Sequence, residues 1–505
     1  MFKRYTILLA LCVPLMASSH QLTLKEAIRI LKKDNIEVKI AKFDQQMKAY
    51  EAKATEALNY GKLDLTIMAM RSNDAGNVFG FKLQSREANF GDFGADEFMN
   101  NFGLCQNGDM QACSDMYNKP PDSLNNPDAR NHFLTKLTYM LPLYTGGKLT
   151  EYKNIMHSMY QMSRFDTKKI RNQKIYETKK AFYDISLIEH YIQNLHRIKN
   201  NIDRLENIIR HMQKEGYAKE TDLLEVQARK AEVMSMYNQA KLNRDLAYQF
   251  LEFLLNRHVS SIKLMNDMAP MPKVTAKMLA ARNIDIQKAK LGLKISKMNI
   301  KAQKAAFLPE VGAFAEYGSA DNHLFNDFTD KDFYTVGVQA KWNIFNGGAD
   351  KANLEKAKLN YLKVQEQVRL AKKGIALKAK KLKTEIMSAN SDIYNYKKQL
   401  RLAKRVYENY NTRYKEGMVP ISDVLIQQSK ELEVILKLLT AKNKRNTKIF
   451  ELDYLLNIED KKIINNVEVI RKKDTNTTKP VDTQKVENSV KATTKESNTT
   501  VVKGK

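Results

Sequence analysis

Few residues in this chain have the types and spacing that chemistry requires. Three cysteines, Cys12, Cys105 and Cys113, and eight histidines are the obvious nucleophiles and ligands. The histidines, among them His157, His190, His196, His211, His258 and His323, are scattered along helical and loop stretches. No His-Glu-x-x-His pair, phosphate-binding glycine loop or nucleophile elbow occurs, so the chain does not read as an enzyme. Cys105 and Cys113 offer a disulfide in an oxidising compartment, with two free thiols as the alternative. A zinc site would find only His132 nearby. What remains is a pair of short turns. Lys214-Glu215-Gly216-Tyr217 precedes Thr221-Asp222-Leu223-Leu224, and Lys415-Glu416-Gly417-Met418 precedes Ser422-Asp423-Val424-Leu425. In each, glycine suits the left-handed residue that ends a helix, and Thr/Ser-Asp suits the start of the next.

The elements that would position these turns are themselves duplicated. Gly146-Gly147 returns as Gly347-Gly348, 201 positions on, and the match continues ungapped to Leu254-Leu255-Asn256 and Leu455-Leu456-Asn457. Upstream, Asn35-Ile36 pairs with Asn283-Ile284 and Lys53-Ala54 with Lys301-Ala302, at an offset of 248. The first half therefore carries 47 extra residues, between about Asp64 and Phe133. Six glycines, Pro120, Pro121 and both later cysteines fall there, so the insertion reads as a loop. Its counterpart, about Gly318 to Asp332, is short. This organisation divides the chain into a signal at 1–19, a first repeat at 20–256, a linker at 257–272, a second repeat at 273–458 and a polar tail at 459–505.

Each half orders its elements alike: a helix ending near Leu58 or Ala306, a strand, a loop, a second strand, a double glycine, a long helical run, a turn and a returning helix. Tyr334, Val336, Val338, Ala340, Trp342 and Ile344 alternate with polar or small residues, a period of two that a helix does not produce. Phe133, Thr135, Leu137, Tyr139, Leu141 and Leu143 follow the same parity. The leading strands fit less well, Leu63, Leu65, Ile67 and Ala69 alternating with Asp64, Thr66, Met68 and Met70 while Val311 to Tyr317 is glycine- and alanine-rich. Such strands suit a barrel with lipid on one face and a lumen on the other; a half-buried soluble strand is the alternative. From Gly147 to Gly216, and again from Gly348 to Gly417, no proline intervenes over 69 positions. A continuous helix of that size reaches roughly 100 Å. Ile185, Ile188, Ile192, Leu195, Ile198, Ile202, Leu205 and Ile209 recur every three or four positions, a coiled-coil seam that calls for association.

The ends and the charge set the compartment. Lys3 and Arg4, an apolar stretch from Ile7 to Met16 and the small residues Ala17-Ser18-Ser19 read as a secretory signal. A lipoprotein cut before Cys12 is the alternative, and Leu11 stands where that cut wants a small residue. The formal charge of +27 suggests nucleic acid or a membrane surface, but an exported chain meets no nucleic acid. The tail from Glu459 holds 11 basic and 7 acidic residues, so most of the excess lies on helices such as Lys372 to Lys383. A solvated basic face accounts for it.

Taken together, the doubled strands, double glycines, long helices and glycine turns of residues 22 to 458 resemble the TolC-like outer-membrane factor family. The resemblance implies an α+β membrane protein: a homotrimer whose protomers each give four strands to a twelve-stranded barrel, continued by a helical coiled-coil tunnel across the periplasm. It implies an efflux or type I secretion channel in the outer-membrane lipid. The partners would be a periplasmic adaptor (membrane fusion) protein and an inner-membrane pump of RND or ABC type, with no cofactor. Gly216, Tyr217, Thr221, Asp222, Leu223, Gly417, Met418, Ser422, Val424 and Leu425 would form the adaptor-docking tip. Asp423 and Tyr414 would belong to the entrance gate, Asp423 as one of three carboxylates in a cation-selective ring. A helix-start carboxylate facing solvent is the other reading of Asp423. Ile426 and Val419 depart from the family pattern, which often places an acid at the first and a latching base at the second. A periplasmic coiled-coil or adhesin protein without a barrel would explain the helices but not the strand pairs.

Overall fold

The computed structural model describes residues 21–265, 268–324 and 327–458; the expected signal at 1–19, with Cys12, and the expected tail at 459–505 lie outside them. The first repeat begins with α1 (Leu24–Asp34) and α2 (Ile36–Ala57), then β1 (Lys62–Ser72). Four short helices follow, α3 (Ala75–Gln84), α4 (Ala95–Gln106), α5 (Met110–Asn118) and α6 (Asp122–Asn125). The repeat closes with β2 (Arg130–Tyr144), α7 (Lys148–Lys214) and α8 (Glu220–Leu255). The second repeat runs α9 (Ala276–Arg282), α10 (Ile284–Lys304), β3 (Glu310–Asp321), β4 (Asp332–Lys341), α11 (Ala349–Lys415) and α12 (Ile421–Leu455). The long helices α7 and α11 each hold 67 residues.

The four strands form one antiparallel sheet in the order β1-β2-β3-β4. Its register sets Leu65, Leu137, Tyr317 and Tyr334 side by side in one row. Because side chains alternate along each strand, one face carries Leu63, Leu65, Ile67, Leu137, Tyr139, Val336 and Val338. The other face carries Asp64, Thr66, Thr138, Thr335 and Gln339, with Lys136 and Glu316 paired at 2.9 Å. The apolar face is uncovered within the protomer: Leu65 is 64% exposed and Val336 73%. Among the described residues, the outer edges of β1 and β4 have no strand beside them. Strand β4 is shorter than its alternation suggests. It stops at Lys341, and Trp342 to Ile344 lead into the joint, where the Trp342 indole donates to the Phe307 carbonyl at 3.2 Å.

Each strand is wired to its own helix, so the helices beside the sheet repeat its order as α2, α7, α10 and α11. The joints are the double glycines: Gly146 and Gly147, like Gly347 and Gly348, all sit at positive φ. Two consecutive left-handed residues are conformations that side chains resist. A Cβ on Gly146 would also lie 2.9 Å from the Ala305 carbonyl oxygen.

Farther from the sheet the order becomes α8, α7, α12, α11, because α8 and α12 continue the lines of α2 and α10. Two asparagines make those junctions. Asn35 caps α2 by accepting from the Val38 amide, and its Nδ2 donates to the Leu254 carbonyl at 2.8 Å. Asn283 repeats both bonds with Ile286 and with Leu455 at 2.9 Å. One side chain thus satisfies an orphan donor of one helix start and an orphan acceptor of another helix end. The central helices α7 and α12 are the most buried, and their seam holds Leu195, Ile198 and Ile202 against Val424 and Leu432. The flanks expose apolar rows, Leu242, Leu246 and Phe253 on α8 and Leu362, Leu370 and Leu377 on α11.

The 47-residue excess is where the loop reading needs correction, since α3 to α6 fill it. Its glycines punctuate short helices: Gly94 precedes α4 and Gly108 separates α4 from α5, both left-handed. Asp74 and Asp109 cap the starts of α3 and α5. Cys105 and Cys113 are bonded across the α4–α5 turn, with Cα atoms 4.8 Å apart.

Candidate functional site

The two glycine turns lie at the end of the helices farthest from the sheet. At the first, the Gly216 amide donates to the Gln213 carbonyl at 3.1 Å and the Tyr217 amide to Met212 at 2.8 Å. At the second, the Gly417 amide donates to the Tyr414 carbonyl and the Met418 amide to Arg413, both at 2.9 Å. This is the same C-terminal closure twice, and it requires a left-handed residue. Gly216 has φ +77° and Gly417 φ +74°, with open space where a Cβ would stand. The residues that follow them are presented to solvent, Tyr217 at 81% exposure and Met418 at 64%.

The return helices then start differently. The Asp222 carboxylate accepts the Lys219 amide at 3.1 Å and so caps α8. In the second hairpin Pro420 replaces Lys219 and has no N–H to give, so Asp423 is released from that duty. Thr221 is exposed, and Asp222, Leu223, Ser422 and Asp423 are half-buried. Val424 and Leu425 are buried in the seam beneath the turns, so they support the tip and do not face a partner directly. Leu224, which occupies the position matching Leu425, is 55% exposed. Ile426 is exposed as well, while Val419 packs against the seam.

Tyr414 stands between the two hairpins. Its ring is buried in the seam, and its hydroxyl finds no hydrogen-bond partner among the described residues. Burial, and then the Asp222 carboxylate, hold its phenol above the ordinary range, so it is a neutral donor at physiological pH. Tyr414 and Asp222 thus belong to one neighbourhood, while the Asp423 amide donates to the Pro420 carbonyl at 3.2 Å and its carboxylate has no hydrogen-bond or ion-pair partner among the described residues.

Sequence reasoning missed a charged ladder above the first turn. Lys230 on α8 reaches Glu206 at 2.8 Å and Asp203 at 2.9 Å on α7, and Lys199 and Arg210 complete it. The Lys230 hydrogen bond is the main reason that both carboxyls lie below their usual range. The part of the signal available in sequence was the acid–base spacing of four along α7, at 199/203 and 206/210. Among the described residues, no group of three or more histidines, cysteines or acids is placed to hold a metal. No helix among them is long and apolar enough to cross a membrane.

The comparisons fit this architecture. The family described as outer membrane efflux protein matches over residues 275–457, the second repeat. The solvent efflux pump outer membrane protein SrpC of Pseudomonas putida is 30% identical over 155 residues, which is 28% of this chain and 31% of that relative's length. Among solved structures, the Campylobacter jejuni CmeC outer membrane channel superposes with a TM-score of 0.70 at 15% identity, covering 88% of each chain. The Neisseria gonorrhoeae MtrE outer membrane channel gives 0.67 at 16% identity, covering 86% of this chain and 88% of its own. The family match covers the second repeat, and the similarity in fold extends over both repeats. The second repeat thus matches the outer membrane efflux protein family, and the chain as a whole shares its fold with outer membrane channels.

Proposed function

We propose that three copies of this chain form one channel that carries substrates from the periplasmic side through the outer membrane. Each copy gives four strands to a twelve-stranded barrel, and the long helices form the hollow tunnel below. The observation that carries this reading is the sheet, an apolar face left uncovered beside two unpaired edges. An open sheet edge has no place in lipid, and closure by further copies satisfies every strand. The exposed rows on α8 and α11 support the same closure, since they flank the helix layer as β1 and β4 flank the sheet. The native mass in detergent tests it: a trimer is expected, and a monomer would end the proposal.

The channel would work as the outer part of a tripartite efflux or type I secretion system. A periplasmic adaptor would dock at the exposed turn residues Tyr217, Thr221 and Met418, and an inner-membrane pump of RND or ABC type would drive transport. Asp423 would point into the narrow entrance as a threefold carboxylate ring, freed for that role by Pro420. Gly216→Trp and Gly417→Trp should abolish efflux in cells while the trimer still assembles. Normal efflux in both variants, at normal expression, would move the docking site elsewhere. Asp423→Asn should weaken cation preference in single-channel recordings; an unchanged preference would remove the ring.

A further inference from the structure

We propose that the first-repeat insert, residues 73–129, folds inward over the outer mouth of the channel and forms a threefold cap by meeting its own copies. This rests on the three-copy barrel. The insert joins β1 to β2 at the end of the sheet away from the helices. Which way it leans is fixed by strand parity. Arg130 and His132 share the face of Lys136 and Thr138, opposite Phe133, Leu137 and Tyr139. From that polar face Phe81 of α3 stacks on the His132 ring at 4.1 Å and 7°. The Arg130 guanidinium donates to Ser85 at 2.9 Å and pairs with Glu87. Lys331, in the β3–β4 connection, ties Glu87 to Asp321. The insert is therefore anchored on the side that faces the lumen.

Beyond this anchor the insert leaves large apolar side chains open to solvent. Phe90 is 86% exposed and Met110 80%, and Met99, Phe102, Leu104 and Tyr117 are also open. Six large apolar side chains left open in one short segment mark a contact. The occupant assigned to it is the same segment of the other two copies, because an insert rooted on the inner wall is carried toward the threefold axis. The insert also holds nine acids against three bases, in a chain of net charge +27. Several of these acids are engaged within their own copy: Asp92 with Lys82, Glu87 with Arg130, and Glu97 with the Asp122 and Ser123 amides. Internal pairing leaves apolar groups to make the contact, and the unpaired carboxylates give the mouth a preference for cations.

Two variants test the cap in the full trimer. Excising residues 92–122 with a short glycine–serine bridge is geometrically mild, since the Ser123 hydroxyl already donates to the Gly91 carbonyl at 3.2 Å. It leaves Phe81, Glu87 and Arg130 in place. The expected result is a rise in single-channel conductance of roughly twofold or more, with reduced cation preference. Separately, Phe90→Cys and Met99→Cys are treated in outer membranes with a short bis-maleimide; at least one should give covalent dimers of the chain. A trimer with unchanged conductance after excision, or with no cross-link at either position, overturns the cap and leaves the barrel standing. A native mass other than trimeric overturns the barrel and the cap with it.

Discussion

The two hairpins share a backbone but divide the chemistry between them. Positions 201 apart close the same turn with the same bonds, yet the charges that brace the helices are exchanged. In the first hairpin Asp203 and Glu206 on the outgoing helix grip Lys230 on the return. At the matching positions the second has Lys404, Tyr407 and Glu431, so the acid has moved to the return helix. Gln227 donates to Glu206, and its counterpart Gln428 donates to the Tyr407 hydroxyl at 3.5 Å. The difference follows from position in the layer. Helix α12 lies between α7 and α11, whereas α8 is at a flank, so Glu431 is buried with Arg197 as its nearest cation at 3.7 Å. Duplication preserved the fold, and location in the protomer decided which side chains could stay charged.

The sharpest way to break this comparison is to put a charge at one position in each copy. Leu425→Glu places an unpaired carboxylate in the seam and should destabilise the protein in detergent by about 3 kcal/mol or more. Leu224→Glu, on the exposed flank, should change stability by less than about 0.5 kcal/mol. Equal effects in denaturant titrations would mean that the two return helices are not in different environments.

Next in size is the response to acid. Burial pushes the Glu431 carboxyl up, so its charged form costs stability once pH rises through that raised value. The Lys230 hydrogen bond holds Glu206 down, so its contribution is present above the unfolded value and lost as pH falls through the lowered one. Glu431→Gln should therefore be more stable than the parent at neutral pH, and Glu206→Gln less stable by about 1 kcal/mol or more. Both differences should shrink on acidification. Stability curves between neutral and acid pH check this, and two differences of the same sign would contradict it.

Replacing either turn glycine by alanine should cost about 1 kcal/mol, the strain of a side chain at positive φ with no clash to add. A large inequality between Gly216→Ala and Gly417→Ala in the same assay would show that the turns are not equivalent. The smallest contrast is at the caps: Asp222→Ala should cost about 1 kcal/mol. Asp423→Ala should cost almost nothing, because Pro420 offers no amide to cap. If Asp423→Ala proves as costly as Asp222→Ala, that carboxylate has a structural partner after all.

Much of this was readable before any coordinates. The alternation of Leu63, Leu65 and Ile67, of Leu137 and Tyr139, and of Tyr334, Val336 and Val338 placed them on one face, because pleating leaves no other choice. The glycine pairs fixed where helices begin and end. Three things were hidden. The insert's glycines suggested a loop, since a glycine before a short helix and one within a loop look alike until Asp74 and Asp109 are seen capping. The end of β4 at Lys341 is decided by Trp342 reaching the Phe307 carbonyl, a contact made across 35 residues. The burial of Val424 and Leu425, against the exposure of Leu224 on the first hairpin, depends on which helix lies in the middle of the layer. No local pattern states that.

The one-to-one wiring of strands to helices makes the protomer a wedge. Strands lie about 4.8 Å apart and packed helices about 9 Å apart. Four of each therefore span roughly 19 Å at the sheet and roughly twice that at the helices. A ring of such wedges tapers toward its strands unless the strands lean over, and a lean of about 40° recovers part of the width. The change of inclination must fall where strand becomes helix. That is where Gly146-Gly147 and Gly347-Gly348 stand, so in the proposed trimer these four residues would act as the fitting between two pipes of unequal natural bore.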